Sequence, residues 1–304
     1  MKILITDHVS EEFLKEIEKL GEIVVKPGLS EEELCREIED YEVLIVRSAT
    51  KVTRKVIEAG KKLKIVARAG VGIDNIDVKA AEEKGVRVIY APEASKTAVA
   101  ELVIGLMLCW ARKIPQAYKE MKEGKWDREK FIGTELKGKT LGVIGVGRIG
   151  GEVALKALAF GMRVLGYDLV RREEMERAGV RYVDLPTLLK EADFVSIHVP
   201  LNSQTERMIG EKELSLMKPT AVLINTSRGK IVDERALVKA LKERKIAGAC
   251  LDVFEEEPTK NLELLSLEQV IPTPHLGAST VESQRNIALI LSQKLKELME
   301  VERG

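Results

Sequence analysis

"KTLGVIGVGRIG", residues 139–150, decides how the rest of the chain is read. An apolar strand, Leu141 to Ile144, runs into glycines at 145, 147 and 150, and "RIGGEVALKALAFG" then opens a helix. The G-x-G-x-x-G spacing is weak evidence by itself. Here it sits between a strand and a helix, and the next strand, "RVLGYD", ends in an acid, Asp168, 18 residues beyond Gly150. That context is the fingerprint of a dinucleotide site. Gly145 permits the tight turn, Gly147 lets the backbone approach a pyrophosphate, and Gly150 lets helix and strand pack closely. The helix start at Arg148 and Ile149 presents free N–H groups and partial positive charge to phosphates. Asp168 is placed to accept hydrogen bonds from an adenosine ribose and to repel a 2′-phosphate, which favours NAD over NADP.

Outward from this loop, β-rich apolar runs alternate with amphipathic helical stretches. Before it come "KILIT", "EIVVK", "VLIVRS", "LKIVARAG" and "VRVIYAP"; after it come "RVLGYD", "RYVD", "FVSIHVP", "AVLINTS", "AGACLDV" and "VIPTPH". Such alternation predicts an α/β fold with parallel sheets. Strands apolar on both faces, like "VLIV", are expected where helices cover both sides. Residues 95–121 read as one long helical pattern, with Ser95 as N-cap and Pro115 as a break or kink. Its segment Ala98 to Trp110 is apolar on more than one face. Such a helix is either the centre of the molecule or part of a subunit interface, and Leu102, Leu106, Met107 and Trp110 together predict that part of its surface is buried in a twofold dimer. The last helical pattern starts with a capping box, Ser279 three residues before Glu282.

Bulk composition sets the class. A chain of 304 residues exceeds one ordinary domain, and 45% apolar residues suffice for a full-sized core. Lys+Arg and Asp+Glu both number 49, with no basic stripe, which argues against a nucleic-acid binder. No run of about 18 apolar residues is present to span a bilayer. "MKILITDHVS" lacks the features of a signal peptide. Cys35, Cys109 and Cys250 are odd in number and far apart, which predicts reduced thiols and no metal site. The expected protein is soluble and cytoplasmic. Mixtures such as "EEFLKEIEKL" predict solvated helix faces with i,i+4 ion pairs.

Chemistry needs more than a cofactor loop. "LINTSRGKIVDERAL" puts Arg228 just past a strand, "CLDVFEEEP" gives Asp252 and an acidic run ending at Glu257, and "TPHLGAS" holds His275, one of three histidines. All lie at the carboxyl ends of successive predicted strands, where open α/β sheets bind ligands. His8 and His198 are expected to be structural.

With "VRSATKVT", "RAGVGIDNID", "GTELKGKTLGVIGVGRIG", "NTSRGKIVDE", "LDVFEEEP" and "PHLGAST" in place, the whole chain resembles the D-isomer-specific 2-hydroxyacid dehydrogenases, especially their phosphoglycerate-oxidising branch. The resemblance implies a catalytic set of Arg228, Glu257 and His275. It alone selects Glu257 over Glu255 or Glu256. In that set the histidine moves the hydroxyl proton, the glutamate orients the ring and raises its pKa, and the arginine grips the substrate carboxylate and the reacting oxygen.

It further implies two doubly wound parallel-sheet domains, a Rossmann domain inserted into a discontinuous flavodoxin-like substrate domain. The expected ranges are 1–94 with 281–304 for the substrate domain and 95–280 for the NAD domain. Around the cofactor it sets Val71, Val199, Pro200, Thr226, Ser227, Arg228, Asp252, His275, Gly277 and Ala278, beside the glycine loop. On the substrate side it sets Arg47, Ser48, Arg68, Val71 and Gly72 with Arg228 and His275. A glycerate without phosphate would not require both Arg47 and Arg68.

The implied reaction is NAD-dependent oxidation of 3-phospho-D-glycerate. The rivals are a glyoxylate or hydroxypyruvate reductase and an NAD-sensing corepressor of the same fold. A homodimer, or a tetramer built from it, is expected. The chain ends just after its last helix, so the regulatory domains of longer relatives, and serine feedback through them, are not expected. Val199-Pro200 departs from the Thr-Pro that relatives often carry.

Overall fold

A computed structural model describes residues 1–301, with side chains through Leu298. The chain divides into two compact units, residues 1–95 together with the chain from Ala278 onward, and Lys96–Gly277. The return to the first unit therefore comes before Ser279 and Thr280 rather than after them. Residues 302–304 of the expected substrate domain lie outside the described residues.

The first unit is built on five parallel strands, β1 (Lys2–Ile5), β2 (Glu22–Val25), β3 (Val43–Val46), β4 (Ile65–Arg68) and β5 (Arg87–Tyr90), in the order β2-β1-β3-β4-β5. Alternate side chains of one strand point to opposite faces. Ile3 and Ile5 accordingly pack with Phe13, Ile17 and, from the last helix, Ile287, Leu291 and Leu295. Leu4, between them, packs on the other face with Leu34, Ile38, Val56 and Ile57. The last helix, Val281–Val301, thus completes the unit that the first strand begins. Its cap differs from the expected Ser279–Glu282 box: the Ser283 N–H donates to Thr280 Oγ1 at 3.1 Å. With the first helical residue at Val281, the residue three before Ser283 holds the capping position.

The second unit carries β6 (Thr140–Ile144), β7 (Arg163–Tyr167), β8 (Val180–Tyr182), β9 (Phe194–Ile197), β10 (Val222–Asn225), β11 (Gly248–Leu251) and β12 (Val270–Pro272). All pairings are parallel, in the order β12-β11-β10-β9-β6-β7-β8. The chain winds one way from β6 through β8 and the other way from β9 through β12. The switch point between β6 and β9 opens the crevice in which doubly wound sheets take their ligands.

The long pattern at 95–121 is two helices, Lys96–Ala111 and Ile114–Lys122, separated by the left-handed Lys113 at φ 51°. Pro115 lies in the first turn of the second helix. Its missing N–H has no intrahelical partner to lose there, so it starts a helix rather than kinking one. Burial divides the apolar residues of Ala98 to Trp110 into two sets. Leu106 and Met107 are buried in their own unit's core, with Val103 and Ile104, because the helix packs on the β-sheet and on the helix Arg148–Ala159. Leu102 and Trp110 are half-buried. Exposed apolar surface lies further on, at Ile114, Tyr118, Met121, Trp126 and Ile132.

Among the described residues no helix is long and apolar enough to cross a membrane. Cys35 and Cys109 are half-buried, Cys250 is buried, and all three are free thiols. The charged mixtures form exposed i,i+4 pairs such as Arg177–Glu173 and Lys260–Glu256, each worth little to stability.

Candidate dinucleotide and acid–base site

The glycine loop has a separate steric reason at each position. Gly145 is left-handed at φ 89°, and a Cβ there would meet the His198 carbonyl at 2.8 Å and Val199 Cγ1 at 2.9 Å. A Cβ at Gly150 would overlap the Gly145 carbonyl oxygen, so this glycine sets how closely the helix Arg148–Ala159 approaches β6. At Gly147, by contrast, a Cβ would find nothing within 4 Å. That glycine leaves open space in front of a helix N-terminus that no side chain caps. An open approach to uncapped N–H groups fits a pyrophosphate.

Asp168, one residue past β7, accepts the Val146 N–H at 2.7 Å on one oxygen and the Val170 N–H at 3.1 Å on the other. Each carboxylate oxygen has a second lone pair, so the residue braces the loop and still has capacity for a ribose diol. On the β9 side of the switch point, Ser227 Oγ donates to the Val199 carbonyl at 2.6 Å, tying the loops after β9 and β10. Pro200 offers its carbonyl to Thr205 Oγ1. Thr226 Oγ1 is buried and has no hydrogen-bond partner among the described residues. A buried, unpaired hydroxyl is costly, and a bound polar group would relieve it. The open cradle, the uncapped helix and this hydroxyl fit a dinucleotide.

The side chains expected to be catalytic arise from the loops after β10, β11 and β12. Asn225 ends β10 and folds its amide over the loop: Nδ2 donates to the Arg228 carbonyl at 2.9 Å, and Oδ1 accepts the Ser227 N–H at 3.1 Å. Arg228 is half-buried, with Nη1 donating to the Ser227 carbonyl at 2.7 Å. His275 Nδ1 lies 2.6 Å from Glu257 Oε2. The other two glutamates of the run do different things. Glu255 Oε1 accepts the Glu234 N–H, and Glu256 pairs with Lys260 in solvent.

Burial would raise the Glu257 pKa, but the hydrogen bond and charge of His275, the Phe254 N–H and the charge of Arg228 outweigh it. The net shift is below the ordinary carboxylate value. Because the folded value is the lower one, the pair's contribution is complete above the ordinary carboxylate pKa. It is lost as pH falls through the depressed value.

His275 holds a left-handed backbone, φ 53°, which is uncommon outside glycine and concentrates at functional sites. What fixes it is Asp252. This carboxyl is fully buried and accepts from Thr273 Oγ1 at 2.6 Å, the Leu276 N–H at 2.7 Å and the Gly277 N–H at 2.8 Å. The Asp252 carbonyl takes the His275 N–H at 3.0 Å. Asp252 was expected beside the cofactor. Its burial and its three donors make it the organiser of the turn that carries His275.

His198 follows β9. Burial of its ring pushes the pKa down to about 3, and Ser196 Oγ lies 2.8 Å from Nε2, so the imidazole is neutral at physiological pH.

In the first unit, Arg47 and Ser48 follow β3, Arg68 ends β4, and Val71 and Gly72 sit in the next loop. Arg47 Nη1 donates to the His8 carbonyl at 3.0 Å, while its backbone N–H donates to the buried Asp7 carboxyl. Asn75 Nδ2 bridges the Arg47 and Thr50 carbonyls at 2.7 and 2.6 Å. The Arg68 guanidinium folds over Gly70, where any Cβ would displace it. Ser48 is exposed. Ala278 begins the return to this unit, and its carbonyl accepts from Gln284 Nε2 at 2.9 Å.

Sequence reasoning assigned no role to Asn225, Asp7, Asn75 or Glu234. Asn and Asp at or just beyond a strand's end are turn formers, and that signal could have found the first two. Nothing local pointed to Glu234.

Comparison with known proteins follows the same lines. A family model for the D-isomer specific 2-hydroxyacid dehydrogenase NAD binding domain matches residues 104–277. D-3-phosphoglycerate dehydrogenase of Methanocaldococcus jannaschii is 53% identical over 301 residues, 98% of this chain and 57% of that protein. Hydroxypyruvate reductase of Thermotoga maritima is 50% identical over 279 residues, 90% of each chain. The crystal structure of D-lactate dehydrogenase from Aquifex aeolicus, with NAD and lactic acid, superposes with a TM-score of 0.90 at 33% identity. The match covers 98% of this chain and 95% of that one. The chain spans about half the length of the curated phosphoglycerate dehydrogenases it matches. Sequence, fold and glycine loop agree: the chain belongs to the D-isomer specific 2-hydroxyacid dehydrogenase family, and residues 104–277 carry its NAD-binding domain.

Proposed function

We propose that the protein oxidises 3-phospho-D-glycerate to 3-phosphooxypyruvate with NAD, the entry to serine synthesis. The observation that carries the reading is the 2.6 Å bond between His275 and Glu257, in a unit that also holds Arg228 and the dinucleotide loop. With Nδ1–H given to Glu257, Nε2 keeps a lone pair to take the substrate's hydroxyl proton, and in reverse it returns that proton to the carbonyl oxygen. Arg228 offers a planar fork of donors to the substrate carboxylate and the reacting oxygen. NAD, when bound, supplies the hydride acceptor. Arg47 and Arg68 are the proposed phosphate ligands.

Hydroxypyruvate reduction is the second reading, favoured by the Thermotoga maritima relative that matches over most of both chains. Self-association is also proposed, through the exposed Ile114, Tyr118, Met121, Trp126 and Ile132. Several large apolar side chains left exposed in one stretch of chain are a common mark of a contact surface. Sedimentation velocity at micromolar concentration should give a dimer or tetramer, and a monomer there rejects the interface.

Steady-state turnover on 3-phosphoglycerate, glycerate, hydroxypyruvate and glyoxylate separates the two enzymatic readings, and no turnover on any of them would leave the corepressor reading. If Arg47 holds phosphate, Arg47→Ala costs about ten- to a hundredfold on 3-phosphoglycerate, the worth of one charge-assisted hydrogen bond, and far less on unphosphorylated acids. Equal losses on both would mean that Arg47 only braces its own loop.

His275→Ala should lower turnover by about 10²-fold or more while NAD affinity changes little, because the glycine loop is elsewhere. Retained turnover would remove His275 from the chemistry.

Asp168→Asn keeps an acceptor for the Val146 N–H but removes the negative charge. Discrimination against NADP should weaken with the loop intact, measured as the ratio of kcat/KM for the two cofactors. A wild type that already uses both equally contradicts the role given to Asp168.

A further inference from the structure

Glu234 opens the helix Glu234–Lys242, nine residues after the end of β10. A glutamate in a first helical turn ordinarily stays in water, where it favours the positive end of the helix dipole. This one is 8% exposed. Asp233 already caps the helix, accepting the Ala236 N–H at 3.0 Å, so Glu234 is not needed as a cap.

Its carboxyl faces the acidic loop instead. One oxygen accepts the Glu255 N–H at 2.7 Å and the other accepts Asn261 Nδ2 at 2.8 Å. The Glu255 side chain returns the contact, its Oε1 accepting the Glu234 N–H at 3.2 Å. Two residues on, Glu257 Oε1 takes the Phe254 N–H at 3.2 Å and Oε2 reaches His275. The same two stretches meet at Gly229, where a Cβ would overlap the Phe254 carbonyl. The segment just after Arg228 and the segment just before Glu257 are thus in backbone contact at one end and cross-bonded through Glu234 at the other.

We propose that Glu234 is a positioning residue for the acid–base pair: it ties the Arg228 loop to the acidic loop and so sets Glu257 against His275. The proposal rests on the reading of His275 and Glu257 given above. A misplacement of about 1 Å in a reacting group can cost about 10²-fold in rate. A carboxylate held by one N–H and one ring nitrogen depends on the placement of its own backbone, and that placement is what Glu234 supplies.

The test is a double-mutant cycle on the purified full chain with NAD and whichever substrate gives turnover, using Glu234→Ala, Glu257→Gln and the pair. NAD affinity and the melting temperature are measured on each variant. If Glu234 acts through Glu257, E234A lowers kcat about ten- to a hundredfold with NAD affinity unchanged. It then adds less than about threefold in the E257Q background, since residues acting as one unit are not additive. Glu234→Gln, which keeps an oxygen for the Glu255 N–H, should recover most of the loss.

An equal factor in both backgrounds, or no effect in the wild type, overturns the proposal while leaving the acid–base pair intact. If E257Q itself leaves kcat unchanged, the acid–base reading fails and the proposal fails with it. Should E234A not fold, Glu234→Asp, which shortens the reach, takes its place in the cycle with the same outcomes.

Discussion

The buried carboxyl of Asp252 is the constraint on which the placement of His275 depends. It gathers a hydroxyl and two backbone N–H groups from residues 273–277, and its own carbonyl takes the N–H of His275. A left-handed backbone at a non-glycine residue costs roughly 1–2 kcal/mol. Hydrogen bonds contribute about 0.5–1.5 kcal/mol each, so the set anchored by Asp252 outweighs that cost. Without it, the turn has no reason to hold His275 where its ring meets Glu257.

The partner carboxylate is held from the opposite direction. Glu257 stands on a loop braced by Glu234, Asn261 and the close approach of Gly229. Both halves of the pair are therefore fixed through backbone atoms rather than through each other. A short bond between His275 and Glu257 is then a consequence of two rigid loops, which is the arrangement that preorganised acid–base chemistry requires. The Arg228 loop joins the set through Asn225, whose amide satisfies both ends of a turn that otherwise has no regular secondary structure.

The glycine loop works on a different principle, exclusion rather than attachment. Two of its glycines are needed because other atoms stand where a side chain would be, and the third because nothing does. That pattern leaves a helix N-terminus facing open space at the switch point of the sheet. The surface ion pairs, though numerous, are exposed and contribute little by comparison with the buried aliphatic clusters on both faces of each sheet.

Periodicity and turn chemistry are local. The sequence by itself therefore determined the twelve strands, their parallel arrangement, the glycine roles and the placement of Asp168 after β7. The motifs also marked Arg228, Glu257 and His275 as a set. Other features depend on residues distant in the chain, and only the tertiary structure decided them. The resemblance picks Glu257 from three chemically alike neighbours, but the physical reason that it and not Glu255 or Glu256 faces a ring 18 positions away lies in how two loops are anchored. That Asp252 is a buried organiser of the His275 turn was not legible in the sequence, because burial is a property of packing and its donors lie 21 to 25 residues on. Leu106 and Met107, apolar in either reading, proved to face their own sheet, since a helix pattern says how much surface must be covered and not by what.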